Sequence, residues 1–294
     1  MWRDPTFDVV DACRELCSLE DGESLMGINL HYIFPDAIAI DKRAGYLSVD
    51  ADDIRQGSLG DCWLLSALST IAEKDKSKIF EILKYSTDGF SCIELLGHNF
   101  FVDHYVPCIV KNGVIKSIIA PQLSYANEYW PIVIEKALIK LFCSPWCPLD
   151  IRSFLIQRRL KFGSPLCVPK YIDVNGGFPR WVFAVLYNSR LDPLETWKQS
   201  KRWCDILSDK SVLACACTST EKTDEFSEDG IVFGHAYSIL DTDPEKGLIR
   251  VRNPWGNFEN TKYDDGDDDG TFWVDEGQFR ASFPVVSLMY VTRI

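Results

Sequence analysis

Residues 54–63 read Ile-Arg-Gln-Gly-Ser-Leu-Gly-Asp-Cys-Trp, and the apolar run LLSALSTIAE follows at 64–73. Trp63, Leu64, Ala67, Leu68, Ile71 and Ala72 recur at helical spacing, which predicts a helix from Gly60 to about Lys74. Cys62 therefore stands where a glycine-rich turn becomes a helix. At that place the unpaired backbone N–H groups and the positive end of the helix dipole favour an anion. A thiol there ionises more readily, and the thiolate is the nucleophilic form of cysteine. Asp61, in the first turn, suits the same helix end.

The whole chain bounds the reading. It has 294 residues, a formal net charge of −12 and 46% hydrophobic residues, enough for a packed core in one large domain or two modest ones. The acidic balance argues against nucleic acid or an anionic membrane as partner, since phosphates would be repelled. The N-terminal stretch MWRDPTFDVVDACRELC lacks the apolar core of a signal peptide. No apolar run reaches the roughly 20 residues of a membrane span. The 11 cysteines, odd in number and without a secretory signal, read as reduced thiols of a cytoplasmic protein. Cys13/Cys17, Cys143/Cys147 and Cys215/Cys217 form close pairs, but their spacing is irregular and no histidine adjoins them, which disfavours structural zinc.

Along the chain, a short helical pattern lies near Val9–Leu19, and EYWPIVIEKALIKLF predicts a helix from Tyr129 to Phe142 with Pro131 in its first turn. LKFGSPLCVPKYIDV reads as a connection, and VNGGFPRWVFAVLY as a glycine turn leading to an apolar stretch. Residues 211–217, 234–240, 248–252, 271–274 and 285–291 are short, apolar and rich in β-branched or aromatic residues, as strands are. Turn signals at Asp243-Pro244 and Lys246-Gly247 separate two of them. The first half reads as mostly helical and the second as mostly strand. That predicts an α+β protein with a helical N-terminal subdomain, residues 1–160, and a β-rich C-terminal subdomain, residues 161–294.

Only four histidines are present: His31, His98, His104 and His235. His235 opens the apparent strand GHAYSIL, and Asn253 follows in RVRNPWG at the end of the next strand. The other three read as packing or surface residues. A thiol, an imidazole and an amide that orients it form the Cys-His-Asn arrangement of papain-like peptidases. In that scheme Cys62 attacks a peptide carbonyl, His235 shuttles the proton and Asn253 holds the imidazole. Gln56 and the Cys62 backbone N–H are candidate donors to the oxyanion.

QGSLGDCWLLSAL, GHAYSIL and VRNPWG, in this order, closely resemble the three signature blocks of the calpain protease core. DPTF, YWPIVIEKALIKL and GGFPRW extend the resemblance over essentially the whole chain. It implies a papain-like fold in two subdomains flanking a cleft. It also implies Cys62 as nucleophile, His235 as base, Asn253 as orienting amide and Gln56 in the oxyanion hole. Gly234 and one of Gly176 and Gly177 match residues that line the substrate cleft, and Trp255 matches the tryptophan that gates it. The resemblance is to the protease core alone, as in a minimal or excised calpain. Segments corresponding to the C2-like and EF-hand domains of conventional calpains are not among these residues.

ENTKYDDGDDDGTFW, residues 259–273, is a glycine-broken acidic loop that suits a hard cation. Asp265, Asp267, Asp269, Gly270 and Glu276 satisfy EF-hand spacing, but the flanking helix is missing. The resemblance implies instead a calpain-type calcium loop. Its ligands would include Glu259, Asp269, one of Asp264 and Asp265, and a backbone carbonyl near Asp267. Asp53 matches a calcium ligand of the first subdomain. Thr271 stands where the family usually has a glutamate, and no glutamate follows the EKALIKL helix.

The function expected is that of a calcium-dependent cysteine endopeptidase performing limited proteolysis on protein substrates. The rivals are a non-catalytic calpain-like module that binds calcium or a partner, and an acyl-transferase on the same fold.

Overall fold

The computed structural model describes residues 2–40, 49–123, 127–162, 168–190, 195–196, 202–221, 226–227, 230–258 and 267–291. The chain divides into two compact units. The first comprises residues 1–48, 56–61 and 79–176, and the second residues 49–55, 62–78 and 177–294. The division is interleaved rather than a single boundary near residue 160.

The first unit opens with α1 (Val9–Cys13), β1 (Glu23–Asn29) and the single turn α2 (Leu30–Ile33). The strands β2 (Leu83–Ser86), β3 (Phe90–Leu95), β4 (His98–Asp103), β5 (Tyr105–Lys111) and β6 (Val114–Ile118) follow after the excursion into the second unit. They form two antiparallel three-stranded sheets, in the orders β1-β5-β6 and β2-β3-β4. This corrects the expectation of a helical N-terminal subdomain. The missed signals are two-residue hairpins. Leu96-Gly97 joins β3 to β4 and Asn112-Gly113 joins β5 to β6, each pair with positive φ at both residues. Such turns match the twist of paired strands, and Asn-Gly is their strongest sequence sign.

The helix α5 (Trp130–Phe142) fulfils the expectation for 129–142 and lies against β3 and β4, with every residue but Lys140 buried. Next comes α6 (Leu149–Phe162), of whose three arginines Arg158 and Arg159 fix the segment that ends the unit. Arg159 Nε donates to Asp173 Oδ1 at 2.7 Å, and its Nη2 to Oδ2 of the same carboxylate, with both side chains almost fully buried. Arg158 Nη1 donates to the Gly176 carbonyl at 2.6 Å.

In the second unit, α3 (Cys62–Lys74) is buried at every position from Trp63 to Ala72. A helix apolar on all sides must lie inside, with partners around it. Those partners are α7 (Pro179–Leu186) and the strands β8 (Val212–Cys217) and β9 (Ala236–Asp243). The helix α4 (Lys76–Ile82) carries the chain back to the first unit.

A six-stranded antiparallel sheet has the order β11-β10-β9-β8-β12-β7. Its remaining strands are β7 (Glu195–Thr196), β10 (Leu248–Arg252), β11 (Thr271–Asp275) and β12 (Val285–Tyr290). Five strands therefore appear where the sequence placed them. The helices α8 (Trp203–Leu207) and α9 (Glu276–Ser282) supply Trp203 and Phe279 to a core with Tyr237, Phe272 and Phe283.

The buried ion pair of Arg159 and Asp173 gives a direct test of the first unit. Asp173→Ala leaves a guanidinium without its counter-charge, a loss of roughly 3–5 kcal/mol. Urea unfolding should show that loss, and a change below about 1 kcal/mol would contradict the assigned pair.

Candidate active site

Cys62 is the first residue of α3 and is half-buried. Burial chiefly pushes up both Tyr237 and Cys217; Cys215 and then Cys62 add to Cys217, and on Tyr237 the bond to the Val232 N–H opposes the rise while Cys62 adds to it. Tyr237 lies two residues beyond His235, and Cys217 pairs across the sheet with Ala236. The helix that begins at Cys62 packs on β9, the strand that His235 immediately precedes.

Hydroxyl groups fix α3 to that sheet. Ser238 Oγ on β9 donates to the Ser66 carbonyl at 2.9 Å, and Thr70 Oγ1 donates to the Ala214 carbonyl on β8 at 3.1 Å. Ser66, Thr70 and Ser238 are fully buried. A buried hydroxyl without a partner would be costly, so these bonds set the helix in one register on the sheet. The sequence held a sign of this: polar residues at core-facing positions of apolar elements.

His235 is held through its backbone and its ring. Its N–H donates to Thr218 Oγ1 at 2.9 Å, and its carbonyl accepts from the Thr218 N–H at 2.9 Å. Gly234, at φ +64°, turns the chain into this position. The ring lies between Trp255, with centroids 5.0 Å apart, and Tyr237, at 5.2 Å. Nε2 meets Asn253 Oδ1 at 2.9 Å. Thr218 was not readable as a site residue, because a threonine after a strand carries no distinguishing pattern.

Asn253 is fully buried and its amide orientation is fixed by two further bonds. Oδ1 accepts from the Trp255 N–H at 3.1 Å, and Nδ2 donates to the Phe258 carbonyl at 3.3 Å. Oδ1 can only accept, so His235 Nε2 carries a proton. In the neutral ring Nδ1 is then the basic atom. Burial lowers the His235 pKa from 6.5 to about 4, and the bond to Asn253 acts in the opposite direction. The resting imidazole is neutral at physiological pH and ready to accept a proton.

The other sequence-predicted residues fall as follows. Trp255 is half-buried against the His235 ring. Gly177 packs on Trp63, where a Cβ would stand 2.5 Å from the indole. Gly176 and Gln56 belong to the first unit. Gly176, at φ +86°, donates its N–H to the Gly60 carbonyl at 2.6 Å. Gln56 Nε2 donates to the Leu59 carbonyl at 2.6 Å.

Of the calcium candidates, Glu259, Asp264 and Asp265 lie outside the described residues. Asp269 Oδ1 accepts from the Thr271 N–H at 2.7 Å. Asp53, almost fully buried, spends Oδ2 on the Asp50 N–H in a capping box around residues 51–53. Glu276 binds the Trp203 and Cys204 N–H groups and Arg280, so it is no ligand of an EF-hand loop. The carboxylate oxygens of Asp267, Asp268 and Asp269 are chemically suited to calcium. Among the described residues, however, no three acidic, histidine or cysteine side chains converge as a metal site. Arg252, nearly fully buried, feels the charges of Asp52, Asp269 and Asp50 and supplies a fixed cation to this acidic region.

The buried imidazole predicts a pH signature. Between pH 6.5 and about 4 the folded chain binds fewer protons at His235 than the unfolded chain. Its stabilising contribution is therefore complete above pH 6.5 and is lost as the pH falls through that window to about 4. An NMR titration should place His235 well below 6.5, and a value at 6.5 would contradict the dominance of burial.

Comparison with known proteins gives the family. The family model described as calpain family cysteine protease matches residues 34–147 and 173–266. The calpain-type cysteine protease DEK1 of Zea mays is 30% identical over 221 residues, covering 71% of this chain and 9% of that protein. Calpain-8 of Mus musculus is 25% identical over 268 residues, 79% of this chain and 34% of its own. The calpain-2 catalytic subunit of Gallus gallus is 28% identical over 224 residues, 71% of this chain and 28% of its own. The chain thus spans about a third or less of the length of these relatives. With a cysteine at a helix start, a histidine and asparagine joined by a hydrogen bond and the family match over most of the chain, this protein belongs to the calpain family of cysteine proteases.

Proposed function

We propose that the chain is a calcium-dependent cysteine endopeptidase acting through Cys62, His235 and Asn253, in a papain-like arrangement. The observation that carries the reading is the 2.9 Å bond from His235 Nε2 to Asn253 Oδ1, next to β9, on which α3 packs. It leaves Nδ1 as the proton acceptor. Cys62 Sγ attacks the peptide carbonyl carbon and its proton passes to Nδ1. The imidazolium then protonates the amine as the C–N bond breaks, leaving a thioester on Cys62. Water, deprotonated by the same imidazole, attacks that thioester and releases the acid and the thiol. The Cys62 backbone N–H, at the positive end of α3, is a donor to the oxyanion. The family pattern adds Gln56.

Trp255 and Gly234 border the imidazole, and a glycine there leaves room for an extended peptide backbone. The substrates are accordingly exposed, extended protein segments. No disulfide joins the described cysteines, which fits a reducing, cytosolic setting. Glu259, Asp269, one of Asp264 and Asp265, and a backbone carbonyl near Asp267 would hold calcium, with Asp53 as the family-matched ligand of a first site. When bound, calcium would supply positive charge that neutralises the acidic loop.

Cleavage of casein should require both Cys62 and calcium. Cys62→Ala should abolish turnover, a loss of at least about 10³-fold, while keeping the folded spectrum. Retained cleavage would refute the nucleophile. Asp269→Ala should raise the calcium concentration for half-activity, and an unchanged requirement would remove the acidic loop as the site. Calcium-independent cleavage through Cys62 would keep the peptidase and reject the switch, whereas no cleavage in any condition would favour the non-catalytic module.

A further inference from the structure

Asp61, the residue directly before Cys62, is fully buried in the first unit, as is Glu135 on α5. Among the described residues, none of their four carboxylate oxygens has a hydrogen bond of standard geometry, although the Gln56 side chain and the Asp61 backbone N–H lie near enough to favour the Asp61 carboxylate. Two ionised carboxylates in contact within a dry interior are strongly unfavourable, whereas a proton between them turns two acceptors into a donor and an acceptor. Glu135 has no other ready counter-charge. The ammonium of Lys136, next to it on α5, is engaged by the Asp103 carboxylate and by the carbonyls of Asp103 and Tyr105.

The remaining groups around the pair do not supply positive charge. Gln56 belongs to the same loop, with its Oε1 buried and unpartnered. Tyr171 is fully buried with an unpartnered hydroxyl, and it lies in the field of Glu135, Cys13, Asp103 and Asp61. Asp173, beside Tyr171, is neutralised by Arg159. Burial chiefly raises Asp61 to about 6, against hydrogen bonds from Glu135, its own backbone and Gln56, and burial followed by the charge of Asp61 raises Glu135 well above the usual carboxylate range, with Lys136 opposing.

The loop that ends at Asp61 is otherwise held by its backbone. Gly57 is pressed against the carbonyls of Ile119 and Ala120, and Ser58 N–H donates to the Ile119 carbonyl at 3.2 Å. The Gly60 carbonyl accepts from Gly176. Asp61 is the last anchor before the chain enters the second unit at Cys62.

We propose that Asp61 and Glu135 share one proton, and that this buried acid pair is the positioning element that sets the backbone leading into Cys62. The functional half of this inference rests on Cys62 being the nucleophile proposed above. Both side chains act through the backbone and touch no substrate.

The test uses the full chain. At pH 7 the infrared spectrum should show the carbonyl stretch of an un-ionised carboxyl, and Glu135→Gln, whose amide donates to Asp61 without titrating, should remove it. Alkylation of Cys62 by iodoacetamide, followed residue by residue by mass spectrometry, should slow about tenfold or more in Glu135→Ala and recover to within about twofold of wild type in Glu135→Gln. The absence of the band in wild type, its persistence in Glu135→Gln, or alkylation of Glu135→Ala at the wild-type rate would overturn the proposal. The infrared measurement stands even if Glu135→Ala does not fold. Failure of the wild-type chain to cleave protein, with the band and the alkylation pattern as expected, would count against the peptidase reading alone.

Discussion

The register of α3 on the six-stranded sheet is the constraint on which the site depends. A helix buried from Trp63 to Ala72 has no wet face, so its orientation is decided by what surrounds it. Apolar contacts alone tolerate sliding, because they are non-directional. The bonds from Ser238 to Ser66 and from Thr70 to Ala214 are directional, and they join the helix that begins with Cys62 to strands on either side of His235. The helix that begins with Cys62 and the strand that follows His235 are thereby held in one register, as the proposed pairing of thiol and imidazole requires.

The second determinant is the treatment of His235. Enclosure by Trp255 and Tyr237 removes water from the ring, and Asn253 then chooses the tautomer. Asparagine serves here because it orients without adding charge. A carboxylate in the same place would favour the imidazolium and offset the effect of burial. The result is a base that is neutral at rest. In the proposed reaction, the proton it accepts comes from Cys62 at the start of α3.

The β-rich second unit and the helices at 62–74 and 130–142 were readable because strong periodicity and burial point the same way in each. The pairing of His235 with Asn253 was readable too, since each ends or begins a strand. The strands of the first unit were not, although Asn112-Gly113 announced one hairpin. The α7 segment shows the limit of periodicity: eight apolar-rich residues after Phe178 fit strand or helix, and Pro179 at the first helical position decides for helix. Thr218, which clamps the His235 backbone, and the Asp61–Glu135 pair were hidden for another reason. Their roles arise from contacts between segments 17 and 74 residues apart, which no local pattern encodes.

The central claim is that Cys62 is singled out among the thiols by its helix end and by His235. It is tested most directly by labelling the calcium-loaded chain with a peptidyl electrophile and mapping the adduct. The account predicts one label per chain, on Cys62, and loss of that label in His235→Ala. Labelling spread over several cysteines, or labelling of Cys62 at an unchanged rate in His235→Ala, would contradict it.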